Sequence, residues 1–321
     1  MNYLCSEKLG FISMINRTIM RIKVLQIFYA CYQKDNKDLA LVENELMFAI
    51  QKSYDLYHYL LLLIVVLTDT EQKRLDIRKN KYLATESERN PNLRFANNRL
   101  AEQLSNNKQL QKFANEKGTF WNNEDIHYVR SLLNKILQSD IYLHYLQSDD
   151  IYESDQCFWA DIFKDIILKE EELEEVLENQ SIFWNDDLQI IGAFVLKTIR
   201  RLKNDSPRDE NLYPMFKDAE DKNFAIKLLH RSFLEEEDNS RRITSQMKNW
   251  DIERLALADL CILQIALAEL RNFPAIPISV TINEYIDLAR YYSTPKSPVF
   301  INGILDAIVK ELKNENLLFK D

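Results

Sequence analysis

An all-α fold is what the sequence predicts, and three observations predict it. Apolar residues recur with a period near 3.6 along almost every long segment, rather than alternating. Glycine and proline, 4 and 7 of 321 residues, are too sparse for the many turns of a β-sandwich. Apolar residues make up 46% and charged residues 28%, a balance that supplies a sizeable core under a solvated exterior and argues against disorder. The length exceeds one average domain, so one large or two modest units are expected.

The elements follow in order. "INRTIMRIKVLQIFYACYQ" is a first helix over residues 15–33, rich in apolar residues and free of acidic ones. A long second helix over about 38–69 carries Val42, Leu46, Ala49 and Ile50 at core spacing. Its apolar run "YLLLLIVVL", Tyr59 to Leu67, is too short to span a bilayer and reads as buried helix. From about 77 to 123 the chain turns polar and asparagine-rich, an insertion expected to be weakly buried, with Pro91 marking entry to a peripheral helix. Helices resume over about 124–147, 157–178 and 186–202, and the run "KEEELEEVLE" is a solvated face over a buried leucine stripe. "NDSPRDENLYP" is a loop, followed by a helix over about 218–236, a hydrophilic joint "EEEDNSRR", and a compact final block from Trp250 to Leu312.

Several function classes are excluded early. Gly10, Gly118, Gly192 and Gly303 cannot assemble a phosphate-cradling glycine loop, which removes the usual nucleotide-cofactor enzymes. The four cysteines lie far apart without a C-x-x-C pair, and the four histidines lack metal-ligand spacing. Neither a cofactor nor a metal is expected, and with no secretory signal visible the cytoplasm is the expected location. A net charge of -9 argues against a chain-wide nucleic-acid surface, while a local basic island would still hold phosphate.

The final block carries the sharpest pattern. "WDIERLALADLCILQIALAELRNF" is apolar nearly all round, with alanines that let neighbours approach, and belongs at the centre of a bundle. Pro274 and Pro277 end it. Thr281 and Glu284 have capping-box spacing, which predicts a helix start there. Ser297-Pro298 reads as N-cap and first residue of a last helix, and the apolar stripe Ile301, Ile304, Leu305, Ile308, Leu312 carries that helix through Asn302-Gly303, otherwise a turn dipeptide. Gly303 costs that helix about 1 kcal/mol and is expected to admit a second helix or an RNA backbone.

These residues resemble the signature of the NusB family of bacterial transcription antitermination factors. The resemblance rests on Ile276-Pro277, Val280, Ile282-Asn283-Glu284, Leu288-Ala289-Arg290 and Phe300-Ile301-Asn302-Gly303-Ile304-Leu305-Asp306, and on Ile262-Leu263, Ala266-Leu267 and Glu269-Leu270 before them. "NRTIMRIKVLQIFYA" resembles the family's opening helix, with Arg17, Arg21, Gln26 and Tyr29 in register. Met14 fits the usual family start, so residues 1–13 read as an extension or a misassigned start. The resemblance implies two packed helical subdomains, here 14–217, with the insertion 77–123, and 218–321. It also implies binding of boxA-type single-stranded RNA together with NusE, a small-subunit ribosomal protein, and through other Nus factors an RNA polymerase resistant to termination in ribosomal RNA operons. No catalysis is implied: the RNA cytosine methyltransferases that carry a similar domain need a glycine-containing loop and a Pro-Cys pair, and no cysteine here follows a proline.

The RNA-binding residues expected on this basis are Asn16, Arg17, Arg21, Tyr29, Lys296, Ser297, Phe300 and Asn302. Arg17 and Arg21 share a helix face, and Tyr29 lies within about 80° of Arg21 around the axis. Guanidiniums bind phosphate, rings stack on unpaired bases, and an amide offers both donor and acceptor. The last helix would aim its free amides at a phosphate beside Lys296. Leu260, Gln264 and Val299 stand where family members often have basic residues, so either the RNA contacts are fewer here or Arg94, Arg99 and Lys108 of the insertion supply replacements. The alternative is a NusB-like interaction module that docks the ribosomal protein with little RNA affinity.

Overall fold

Helices account for all the regular secondary structure among the described residues of the computed structural model, which are 13–34, 38–118, 121, 125–207, 210, 212–247 and 255–318. In order they are α1 (Arg17–Lys34), α2 (Leu39–Lys79), α3 (Glu86–Arg89), α4 (Arg99–Ser105), α5 (Lys108–Lys117), α6 (Ile126–Leu137), α7 (Asp140–Gln147) and α8 (Tyr152–Asp165). They continue with α9 (Glu171–Gln180), α10 (Leu188–Arg201), α11 (Ala219–Leu234), α12 (Glu236–Gln246), α13 (Leu257–Asn272), α14 (Ile278–Tyr292) and α15 (Ser297–Asn314). None of the helices among these residues is long and apolar enough to cross a membrane. Residues 1–12 of the expected N-terminal extension 1–13, and Trp250, where the final block was expected to begin, lie outside the described residues.

Packing divides the chain into two units, and the division is not linear. One is built around Gln51–Met215; the other joins Ile15–Ile50 to Phe216–Asp321. This differs from the linear division 14–217 and 218–321. The reason lies in α1, whose buried Ile19, Met20, Val24, Ile27 and Phe28 need cover on more than one side. Helices α11 and α13 supply it.

In the first unit the asparagine-rich segment is better buried than its composition predicts. Asn98 and Asn107 are N-caps: Asn98 Oδ1 accepts from Ala101 N at 3.1 Å and Asn107 Oδ1 from Leu110 N at 3.0 Å. Such caps satisfy amides that a helix start leaves unpaired. The two short helices they start bury Leu100, Leu104, Leu110 and Phe113, and α4 packs on α8. Phe95 is buried against Phe158 and Trp159, with ring centroids 5.7 and 5.6 Å away. No helix starts at Pro91; the next begins at Arg99. Where one helix was expected over 124–147 there are two, because Ser139 caps a new start, its Oγ accepting from Tyr142 N at 3.2 Å. Gly192 on α10 lets the Leu168 side chain pack close, where a Cβ would have to displace it.

In the second unit α13 is the central helix, as its apolar sequence demands. Every residue from Cys261 to Leu270 is buried, and the helix packs against α1, α11, α12, α14 and α15. The "EEEDNSRR" joint is not a loop but the start of α12, which packs on α13 and α15. Its charges are spent locally: Arg242 lies 2.6 Å from Glu311 and 2.9 Å from Glu315.

Candidate nucleic-acid interface

Arg21 does not face solvent. Its side chain is 2% exposed, with Nε donating to Glu269 Oε2 and Nη2 to Glu269 Oε1, both at 2.8 Å. Nη1 lies 3.2 Å from Glu284 Oε2. The fully buried Glu269 also accepts from Thr281 Oγ1 and Tyr285 Oη, each at 3.0 Å. Burial pulls the Arg21 pKa down, but the hydrogen bonds and charge of Glu269 outweigh it, and the guanidinium is held above its ordinary value. This corrects two expectations. Arg21 is withdrawn from the RNA-facing set because two carboxylates already occupy its fork. Thr281 and Glu284 form no capping box, since α14 begins at Ile278 and both lie inside it. Glu284 instead accepts from Thr18 Oγ1 at 3.0 Å. The two separated parts of the signature thus meet here, α1 supplying the cation and α13 and α14 the anions.

Ser297 is corrected as well. It is 1% exposed, and its hydroxyl lies 2.9 Å from Asp259 Oδ2 and 3.0 Å from Ser293 Oγ. It accepts from Thr294 N at 3.2 Å and makes no cap bond to α15, whose cap position is Lys296. The serine that looked like a helix cap is a strut holding the start of α15 against α13. A buried carboxylate outcompeted the local amides for it.

What remains outward at α15 is Lys296, exposed, with Phe300 and Asn302 half-buried on the first turns. Asn302 makes no side-chain hydrogen bond among the described residues. Beside it Gly303 is exposed, and a Cβ there would meet no heavy atom within 4 Å. Among the described residues no second helix therefore uses the space that the glycine leaves.

The α1 candidates separate from these. Asn16 is the cap of α1, its Oδ1 accepting from Ile19 N at 2.9 Å. Arg17 is 40% exposed, 3.6 Å from Asp221 and over the Phe224 ring at 5.2 Å. Tyr29 is half-buried, its hydroxyl accepting from Gln33 Nε2 at 3.1 Å. Helix α1 packs on α11 and α13 and α15 on α12, α13 and α14, and with Arg21 and Ser297 buried the eight residues do not all face outward.

The positions lacking the family's basic residues are also sorted by burial. Gln264 is enclosed and donates to Ser240 Oγ at 2.7 Å, Leu260 is half-buried, and only Val299 is at the surface, 80% exposed. The insertion's arginines are not free replacements. Arg94 Nη2 donates to Ser148 Oγ at 3.0 Å, and Arg99 pairs with Asp155 at 2.9 Å and Asp150 at 2.7 Å. The signal that the sequence reading missed was Glu269, a carboxylate in the most apolar stretch of α13, which demands a buried cation.

The second unit is thus an all-helical bundle locked by a buried arginine–carboxylate cluster, with an open aromatic-amide face at the start of its last helix. The sequence model described as "NusB family" matches residues 189–310. A protein of Geotalea daltonii is 36% identical over 136 residues, covering 42% of this chain and 91% of that protein. One of Koribacter versatilis is 41% identical over 101 residues, 31% of this chain and 69% of its own length. One of Chloroherpeton thalassium is 37% identical over 103 residues, 32% of this chain and 49% of its own length. Each is named transcription antitermination protein NusB. No solved structure matches the chain with significance. The chain belongs to the NusB family.

Proposed function

We propose that this protein is a transcription antitermination factor, a binding protein and not an enzyme. In this reading it takes up boxA-type single-stranded RNA together with the ribosomal protein NusE and, through other Nus factors, makes RNA polymerase resistant to termination in ribosomal RNA operons. The observation that carries the reading is the α15 start, where signature residues Lys296, Phe300, Asn302 and Gly303 stand outward and none is buried. Lys296 supplies charge for a phosphate, Phe300 a ring edge for an unpaired base, Asn302 a donor and an acceptor, and Gly303 room for a backbone. Asn16, Arg17 and Tyr29 on α1 are secondary contacts. The test is binding of a boxA RNA, with and without NusE, across a salt series. Lys296→Glu weakens binding and flattens its salt slope by about 0.7 for one lost phosphate contact. Binding that this substitution leaves unchanged counts against the face.

A second reading is an interaction module that docks the ribosomal protein with little RNA affinity. It is favoured by the removal of Arg21 and Ser297 from the surface and by the exposed apolar Val299 beside Phe300. Capture of NusE without RNA binding at low salt selects it.

A further inference from the structure

After Leu75 the long helix α2 leaves the core. Every residue from Asp76 to Leu83 is exposed, through the last turn of the helix and the turn that follows. Within it Ile77, Tyr82 and Leu83 are 69, 96 and 83% exposed. Interleaved with them are Arg78, Lys79 and Lys81, against the single acid Asp76, in a chain whose net charge is -9. Basic residues at a helix C-terminus have an ordinary role in offsetting the helix dipole. That role explains Arg78 and Lys79 but gives no reason for a tyrosine and a leucine fully in water.

The turn is held from beneath. Ala84 is buried and its amide donates to Lys81 O at 3.2 Å; Lys81 Nζ lies 3.0 Å from Glu88. Thr85 and Glu88 close a reciprocal capping box on α3. Arg78 and Lys79 engage no partner among the described residues. An aromatic ring projecting from a fixed turn, beside unpaired cations, is the pairing that suits single-stranded nucleic acid: the ring stacks on a base and the cations follow the backbone.

We infer that the exposed end of α2, from Ile77 to Leu83, is a second contact for single-stranded RNA, on the unit that the family match leaves largely uncovered. The occupant is RNA and not an anionic membrane surface, because a nearly fully exposed ring beside two unpaired cations suits base stacking with backbone pairing. The inference rests on the reading that this protein binds RNA.

The test uses the full chain with two probes, a fluorescent unstructured mixed-sequence RNA and phosphatidylserine vesicles. Tyr82→Ala lowers affinity for the RNA by between about fivefold and a hundredfold. Arg78→Glu with Lys79→Glu lowers the salt slope by about 1.4, for two phosphate contacts. The side chains are exposed, so unchanged thermal unfolding certifies the fold. Wild type that binds RNA equally well with and without these substitutions overturns this inference and leaves the proposed function standing. Wild type that binds no mixed-sequence RNA overturns this inference, and failure to bind boxA RNA with NusE as well overturns both. Substitutions that abolish vesicle binding but spare RNA binding overturn it in favour of a membrane surface.

Discussion

Two parts of the same signature behave oppositely. Around Glu269 the polar residues are buried and mutually satisfied, with Arg21, Thr281 and Tyr285 all directed at one carboxylate. At the start of α15, Lys296, Asn302 and Gly303 are turned outward, and nothing packs on the glycine. A buried charge demands a specific partner, so the first part fixes which helices meet. An open amide and an absent side chain stabilise nothing internally, so the second part is available for a ligand. One signature therefore holds a locked core in one part and an open face in the other, and burial separates them.

The largest effect that could break this contrast is Glu269→Ala, which strands the Arg21 guanidinium in the core. We expect a loss of about 3–5 kcal/mol, read from the denaturant midpoint. Combining Arg21→Met with Glu269→Leu should cost less than the sum of the two singles, and strict additivity would refute the pairing. Next is Ser297→Ala, which leaves the buried Asp259 carboxylate without its hydroxyl and should cost about 1–3 kcal/mol. A neutral result would return Ser297 to the set of surface candidates.

Gly303→Ala sharpens the contrast with an effect of opposite sign. An added Cβ meets no heavy atom within 4 Å, so helix propensity alone predicts stabilisation of up to about 1 kcal/mol. Binding of boxA RNA or NusE should fall in the same variant. Stabilisation with undiminished binding of both would show that the glycine serves no ligand. The smallest effect is alkaline. Burial and Glu269 hold the Tyr285 hydroxyl protonated well above its ordinary value. The unfolded chain, whose tyrosines ionise near pH 10, releases that proton first, so stability falls as pH rises past about 10. Tyr285→Phe should remove part of that slope.

The helical class was legible because period and turn scarcity are local signals, and the centrality of α13 followed from its all-round apolar sequence. The site was legible only in part. Arg17 and Arg21 look equivalent along α1, one turn apart, and only Glu269, 248 residues from Arg21, decides which is buried. Ser297 carried a correct local cap signal that Asp259, 38 residues away, overrode. Asparagine richness suggested weak burial, yet Asn98 and Asn107 are enclosed caps. The start of α15 was readable because a proline in its first turn marks it locally.

The packing of α1 against helices made much later has a consequence for biosynthesis. Arg21 leaves the ribosome 248 residues ahead of Glu269. At typical synthesis rates that interval is roughly 10–50 s. Throughout it Ile19, Met20, Val24, Ile27 and Phe28 lack α13, and the whole Gln51–Met215 unit is synthesised in between. Helix α1 is thus made long before the helix that shelters it, and slowing translation ahead of α13 lengthens the period in which the nascent chain can aggregate.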